Sequence, residues 1–258
     1  MRWLYAYDHW AAHSLRSPGQ GAGFVVQSGH AVMVIGQGLI ARSFYPRYGK
    51  DGSVLIFASG VSNSREQRCS EFDRERILLT NALSSSNGKL VYFSSCGVES
   101  RDSSPYMCHK RHMESLVLGS PEGMVFRLPQ VVGRTENPNT LTNYLHARIV
   151  RGEQFTVWAN AERNLIDIDD VVAICTRLID GPSPQRTVSV VSGRALPIPV
   201  ILSLFERALG CKADYVIEQK GSGLPTDGTI AAAIAKELGI DFGPDYAERT
   251  IRKYYPSA

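Results

Sequence analysis

Pro105-Tyr106-Met107-Cys108-His109-Lys110 places a phenol and an ammonium four residues apart. On a helix, side chains at i and i+4 share one face. An ammonium beside a phenol stabilises the phenolate and lowers its pKa, so the pair can exchange a proton near neutral pH. Lysine also has donors to spare for ribose hydroxyls. Ten residues before Pro105, the run Lys89-Leu-Val-Tyr-Phe-Ser-Ser95 ends in two hydroxyls. A serine hydroxyl beside the tyrosine can hydrogen-bond a reacting carbonyl or alcohol. Tyr-x-x-x-Lys also arises by chance in many helices. Its meaning therefore depends on the elements around it.

Those elements alternate. Ala31–Ile35 (AVMVI), Val54–Ala58 (VLIFA), Lys89–Phe93 (KLVYF) and Met124–Leu128 (MVFRL) are short apolar runs of the kind buried on both faces of a parallel sheet. Between them, Leu39–Tyr48, Arg65–Ser85 and Pro105–Leu118 read as helices. Alternation of this kind predicts an α/β fold: a doubly wound parallel-sheet Rossmann fold. Further on, Leu141–Arg151 is helical and Phe155–Trp158 a strand. Asp170 can cap a helix over Val171–Ile179. Thr187–Val191 and Ala213–Glu218 are strands, Pro199–Leu209 and Thr229–Leu238 helices. The reading divides the chain into an extension over 1–31, a Rossmann domain over 32–158, and a small mixed substrate lobe over 159–258, partly interleaved with it.

Gly36-Gln37-Gly38-Leu39-Ile40-Ala41 follows the first strand and opens the first helix. In a dinucleotide site the first glycine permits the tight turn, the second admits a pyrophosphate, and the alanine lets helix pack on sheet. The helix N-terminus attracts the anion. An acid about 20 residues on should hold the ribose hydroxyls. Asp51 is 15 residues after Gly36 and precedes a strand instead of ending one. Arg42, Arg47 and Lys50 could instead favour a 2′-phosphate, so NAD and NADP both stay open.

With these pieces in place the chain resembles the extended short-chain dehydrogenase/reductase family, the NAD-dependent epimerase/dehydratases of nucleotide sugars, over roughly residues 32–258. The resemblance rests on Gly36–Ala41 (GQGLIA), Leu55–Gly60 (LIFASG), Val91–Val98 (VYFSSCGV), Tyr106–Lys110 (YMCHK) with Glu114, Phe126–Gly133 (FRLPQVVG) and Arg163–Val172 (RNLIDIDDVV). It implies Tyr106 as acid and base, Lys110 as its electrostatic partner, and Ser95 as the hydroxyl on the substrate. Ser95 is preferred to Ser94 because it stands four residues before Glu99, where the family often has tyrosine. It implies NAD or NADP held by Gly36, Gly38, Leu39, Ile40, Ala58, Ser59, Gly60, Leu128 and Val131 together with Tyr106 and Lys110. Arg163 resembles an arginine used on nucleotide-sugar phosphates, with a surface ion pair as the plainer reading. Cys96 could touch substrate or be a small buried side chain, and Trp158 and Tyr144 could stack on substrate or simply pack. A homodimer is a further implication of the resemblance.

The departures carry information. Gly36 to Ser95 spans only 59 residues, so about one helix–strand unit is lost between Tyr48 and Val54, and with it the acidic ribose ligand. Cys96-Gly97 stands where a 4,6-dehydratase would carry an acidic pair. The expected activity is hydride transfer on a nucleotide-activated sugar, as an epimerase or reductase in polysaccharide or deoxysugar synthesis. The alternative is a non-catalytic nucleotide-binding regulator or scaffold on the same fold.

Composition agrees with a globular chain. Of 258 residues 43% are apolar, and the net charge of +3 shows no basic stripe, so nothing points to nucleic acid. No apolar run approaches the ~18–20 residues of a membrane span. Five cysteines, an odd number without a C-x-x-C pair, argue against a disulfide framework and fit a reducing cytoplasm. Cys108, His109 and His112 do not share one helix face, so no metal is expected. Residues 1–31 show no clear period. Either the functional chain begins near Met33 or these residues are an ordinary arm.

Overall fold

Continuous apolar runs, buried on both sides, build the central sheet. The computed structural model describes residues 33–86, 88–100 and 102–256. The extension over 1–31 and the start of the first expected strand lie outside them. The first half of the chain forms β1 (Val34–Ile35), α1 (Leu39–Tyr48), β2 (Val54–Phe57), α2 (Cys69–Ser85), β3 (Lys89–Ser95), α3 (Pro105–Leu118), β4 (Gly123–Leu128) and β5 (Gln130–Val132). The second half forms α4 (Leu141–Arg151), β6 (Phe155–Trp158), β7 (Glu162–Asp167), α5 (Ile168–Asp180), β8 (Thr187–Ser189), β9 (Ala195–Pro197), α6 (Ile198–Leu209), β10 (Tyr215–Glu218), α7 (Thr229–Glu237) and α8 (Tyr246–Tyr254).

The main sheet is parallel throughout, in the order β1-β2-β3-β4-β8. Side chains alternate across it as the pleat requires. Ile56, Val91, Phe93 and Phe126 meet Phe44 and Tyr48 of α1, Val171 and Ile174 of α5, and Ala231 of α7 on one face. Leu55, Phe57, Leu90, Tyr92 and Val125 meet Leu79 and Ala82 of α2 and Met113 and Val117 of α3 on the other. Helices on both faces of a parallel sheet are the expected α/β architecture.

The strand order departs from the usual one. In the common doubly wound order 3-2-1-4-5-6 the first strand is interior. Here β1 is an edge, and the two strands that would lie beyond it are absent among the described residues. Measured against that order the loss is two strands, deeper than the single unit expected from chain length. It also changes handedness. The connections β1-α1-β2 and β2-α2-β3 advance in the same direction across the sheet, yet α1 and α2 lie on opposite faces. The two crossovers therefore have opposite hands, whereas about 98% of such units are right-handed. Because α1 and α2 leave toward opposite faces, a crevice still opens outside the C-terminal ends of β1 and β2. That is where open α/β sheets bind ligands.

A second core gathers Leu145 and Ile149 of α4, Phe155 and Trp158 of β6, Phe205 of α6 and Ile251 of α8. Beside it run the sheets β5-β7-β9 and β10-β6. Residues before 158 thus join the second core, while α5, β8 and α7 join the first. The two units interleave, and 158 is not a physical seam.

Some expected boundaries shift. α2 starts at Cys69, not at Arg65, because Glu66 accepts hydrogen bonds from the Gln67 and Arg68 N–H groups and the Arg68 side chain. Asp170 does not cap α5. The cap is Asp167, which accepts from the Asp169 N–H at 3.0 Å, and Asp170 instead receives the Tyr246 hydroxyl at 2.6 Å. The five cysteines are free thiols. Among the described residues no helix is long and apolar enough to cross a membrane, and no three His, Cys, Asp or Glu side chains gather as a metal site.

Candidate active site

The helix carrying Tyr106 and Lys110 is fixed at both ends. Ser104 caps α3 by accepting the Met107 N–H at 3.3 Å, and Pro105 occupies the first turn, where a missing N–H costs nothing. Asp102 in turn holds the Ser104 N–H at 2.8 Å. Arg111 donates to the carbonyls of Val98, Ser100 and Asp102, pinning the loop between β3 and α3. Glu114 accepts both branches of the Arg127 guanidinium at 3.0 and 2.7 Å, tying α3 to β4.

Tyr106 and Lys110 therefore sit one turn apart, with exposures of only 9% and 3%. The Lys110 ammonium lies 5.8 Å from the centre of the Tyr106 ring. Its hydrogen bonds go elsewhere, to the Tyr92 hydroxyl at 2.8 Å and to Glu75 Oε1 at 3.0 Å. Among the described residues one of its three donors remains, beneath Gly60, where an added Cβ would fall 2.7 Å from Nζ.

Glu75 is the buried carboxylate of this cluster, and sequence reading missed it. It is fully buried on α2 and accepts from Lys110, from Tyr92 at 2.6 Å, from His109 at 3.0 Å and from the Val61 N–H at 2.6 Å. Burial works to raise its pKa, but Lys110 and these hydrogen bonds hold it down at about 2. A signal was available: Phe72, Glu75, Leu79 and Ala82 form one helical stripe, and Glu75 is the lone charge on it.

This carboxylate alters the expected electrostatics. Burial pushes the Tyr106 phenol up, Lys110 pulls it down, and Glu75 pushes it up again. The net direction is upward, with burial the largest cause and Glu75 adding to it.

Ser95 ends β3 at the same sheet edge from which α3 starts. Its hydroxyl accepts the Gly97 N–H at 3.1 Å and caps the single 3-10 turn Cys96–Glu99. No hydrogen bond joins it to Tyr106 among the described residues. Ser94 points to the opposite face, beside Tyr92, and its buried hydroxyl has no partner among the described residues. Cys96 is 3% exposed and donates to the Arg127 carbonyl at 3.5 Å, and burial pushes its thiol up to about 12. That is the geometry of a packed thiol. His109 is held between Glu75 and the Phe72 ring.

The glycine turn fits a dinucleotide phosphate. Gly36 adopts φ +133°, and a Cβ there would lie 2.4 Å from the Ala58 carbonyl oxygen. Among the described residues Gly38 has nothing within 4 Å of its Cβ position, so they leave space open above α1. Among the described residues no side chain caps α1, leaving its first N–H groups for an anion. Leu39 packs where a Gly133 side chain would stand, and Ile40, Ala58 and Val131 pack on the main core. Leu128 is the register partner of Ser95.

The adenosine side is barer. Ala58-Ser59-Gly60 follows β2 without an acid. Asp51 sits at the other end of β2, accepting from Ser53, and Arg47 at the end of α1 pairs with Asp180 at 2.8 Å. Arg47, Lys50 and Asp51 are thus at the wrong edge of the sheet. Arg74, not foreseen, reaches the Ser59 carbonyl and hydroxyl at 3.3 Å.

Across the crevice lies a cavity of about 140 Å³ lined by Asn63, Arg65, Gln130, Tyr144, Trp158 and Arg163 among others. It brings together Tyr144, Trp158 and Arg163. Arg163 Nη1 donates to the Glu162 carbonyl at 2.7 Å.

Residues 76–191 match the model of the NAD dependent epimerase/dehydratase family. A search of curated proteins finds no match. Solved structures of similar fold include TunA, an NAD dependent NDP-hexosamine 5,6-dehydratase involved in tunicamycin biosynthesis. It is 21% identical over 78% of this chain and 75% of that one, with a TM-score of 0.63. RMD from Pseudomonas aeruginosa, complexed with NADPH, is 19% identical over 78% and 81%, TM-score 0.60. UDP-glucuronic acid 4-epimerase from Bacillus cereus, complexed with UDP-glucuronic acid and NAD, is 13% identical over 78% and 74%, TM-score 0.61. At these identities the likeness is one of fold. The family match bears out the resemblance read from the motifs.

Proposed function

We propose, on the premise of this match to the NAD dependent epimerase/dehydratase family, that the chain is an NAD(P)-dependent oxidoreductase acting on a nucleotide-activated sugar. The observation that carries the reading is the buried Tyr106–Lys110 pair at the sheet edge where the Gly36–Gly38 turn opens. A nicotinamide dinucleotide bound there supplies the acceptor or donor of hydride. Gly36 and Gly38 give its pyrophosphate room, and the free N–H groups of α1 attract it. Tyr106 moves the proton of the sugar hydroxyl or ketone, and Ser95 orients the same oxygen. Arg163 and Arg65 suit a diphosphate, because guanidinium forks match its oxygens. Tyr144 and Trp158 supply flat surfaces for a base or sugar. Cys96-Gly97 offers no acid or base for a further elimination, which favours an epimerase or reductase over a 4,6-dehydratase. A setting in polysaccharide or deoxysugar synthesis rests on the resemblance alone.

One observation favours a second reading. With β1 at the sheet edge and no acid after β2, the adenosine half of a dinucleotide has little to hold it, as in a nucleotide-binding regulator that performs no chemistry. Fluorescence titration with NADH and NADPH, with mass spectrometry of any co-purifying ligand, separates the two. Binding with turnover of a nucleotide sugar is the expected result. Absence of dinucleotide binding overturns the oxidoreductase, and tight binding without turnover favours the regulator.

A further inference from the structure

We propose that Glu75 is a positioning residue that compensates the charge of Lys110 and so sets Tyr106 to act as the proton donor in a carbonyl reduction. The proposal rests on the oxidoreductase reading and gives it a direction.

In an uncompensated pair the ammonium has one anion to stabilise, the phenolate. Here Lys110 already has one, 3.0 Å away and fully buried. Ionising Tyr106 would bring a second anion to the same cation, and like charges sharing a dry site disfavour ionisation. Glu75 is not free to withdraw. The Val61 N–H and the Tyr92 hydroxyl each hold it at 2.6 Å.

The surrounding charges do not cancel this effect. From α3, Glu75 faces Lys110, His109 and Tyr106, and from β3 it faces Tyr92. Glu114 on α3 is matched by Arg127 on β4, which also binds Glu99. On α2 itself, Arg74 is turned to Ser59 and Glu71. Among the described residues Lys110 is therefore the one permanent cation bonded to Glu75.

The chemistry balances as a reduction. The carbonyl carbon of a keto-sugar accepts hydride from a reduced nicotinamide (NADH or NADPH), the C=O π pair moves to oxygen, and that oxygen takes the Tyr106 proton. Tyr106 then recovers a proton from solvent. The reverse oxidation needs Tyr106 as a phenolate base, the form Glu75 opposes. An epimerase must run both directions on one sugar, so this arrangement points to a reductase.

The test is an ultraviolet titration of the phenolate, assigned by its loss in Tyr106→Phe, in the wild-type protein and in Glu75→Gln. The glutamine keeps the shape and an acceptor for Val61 while removing the charge. Expected is a Tyr106 midpoint at least one pH unit lower in the glutamine variant, roughly tenfold more phenolate at a given pH. The acid limb of sugar-alcohol oxidation should move by the same amount. Equal midpoints in two folded proteins overturn the proposal. Should Glu75→Gln not fold, Glu75→Met is titrated in its place: a Tyr106 midpoint lower than in the wild type supports the proposal, and an equal one overturns it. The titration needs neither dinucleotide nor sugar. Failure of NAD(P)H binding therefore sinks the oxidoreductase reading separately, without being confused with this result.

Discussion

Glu75 Oε1 on α2 lies 3.0 Å from the Lys110 ammonium on α3, both side chains out of solvent. Through this contact one helix sets the electrostatics of the other. Lys110 lies in turn under Gly60 and over the Tyr106 ring. The acid thus links the Gly60 loop to Tyr106.

Removing one partner of such a pair strands a buried charge. Lys110→Met should lower stability by about 3–5 kcal/mol. Lys110→Met with Glu75→Leu should recover part of that loss, since a buried pair replaced by apolar side chains is often near neutral. Denaturant unfolding of the two variants checks this, and a double variant less stable than the single one contradicts it.

Acid should unfold the protein partly through Glu75. Its folded pKa of about 2 lies below its unfolded value of about 4.3. Its contribution is therefore present above pH ~4.3 and is lost as pH falls from there through about 2. Stability measured across that window should fall less steeply in Glu75→Gln than in the wild type.

Gly36→Ala places a Cβ 2.4 Å from the Ala58 carbonyl oxygen at φ +133°. Strained backbone of this kind costs on the order of 1–3 kcal/mol. The β1–α1 turn must then move. The expected result is loss of NADH and NADPH binding by fluorescence titration together with a lower melting temperature.

Arg163→Ala should weaken binding of a nucleoside diphosphate such as UDP while leaving NAD(P)H binding unchanged. A hydrogen bond to a charged group contributes about 1.5–3 kcal/mol, or roughly 10–150-fold in affinity. Calorimetric titration reads it, and an unchanged UDP affinity removes Arg163 from the substrate site.

Tyr106→Phe keeps the ring packing and removes the transferable proton. Turnover should fall by about 10²–10⁴, with dinucleotide affinity retained. A variant with full turnover would assign the proton to another group.

The local grammar of the chain was readable without its structure. Helix bounds at Leu39–Tyr48, Pro105–Leu118 and Leu141–Arg151 coincide with expectation, because apolar period, caps and flanking glycines act within a few residues. The Gly36–Gly38 turn and the Tyr106–Lys110 spacing are local in the same sense. Less was legible where partners are distant. Asp167 won the cap of α5 from Asp170, which Tyr246 holds from 76 residues away. The strands β5 and β9, three residues each, are too short to show a period, and β7 and α8 were not foreseen.

Sequence by itself determined which residues could move a proton, which turn could admit a phosphate, and that strands and helices alternate. The tertiary structure alone decided that β1 is an edge, that α1 and α2 leave it on opposite faces, and that Glu75 meets Lys110 across 35 positions of chain. The reason is physical. Periodicity and capping are short-range and leave a pattern in the sequence. Strand order and the pairing of buried charges come from packing between remote segments, so their consequence for Tyr106 emerges only once α2 and α3 lie side by side.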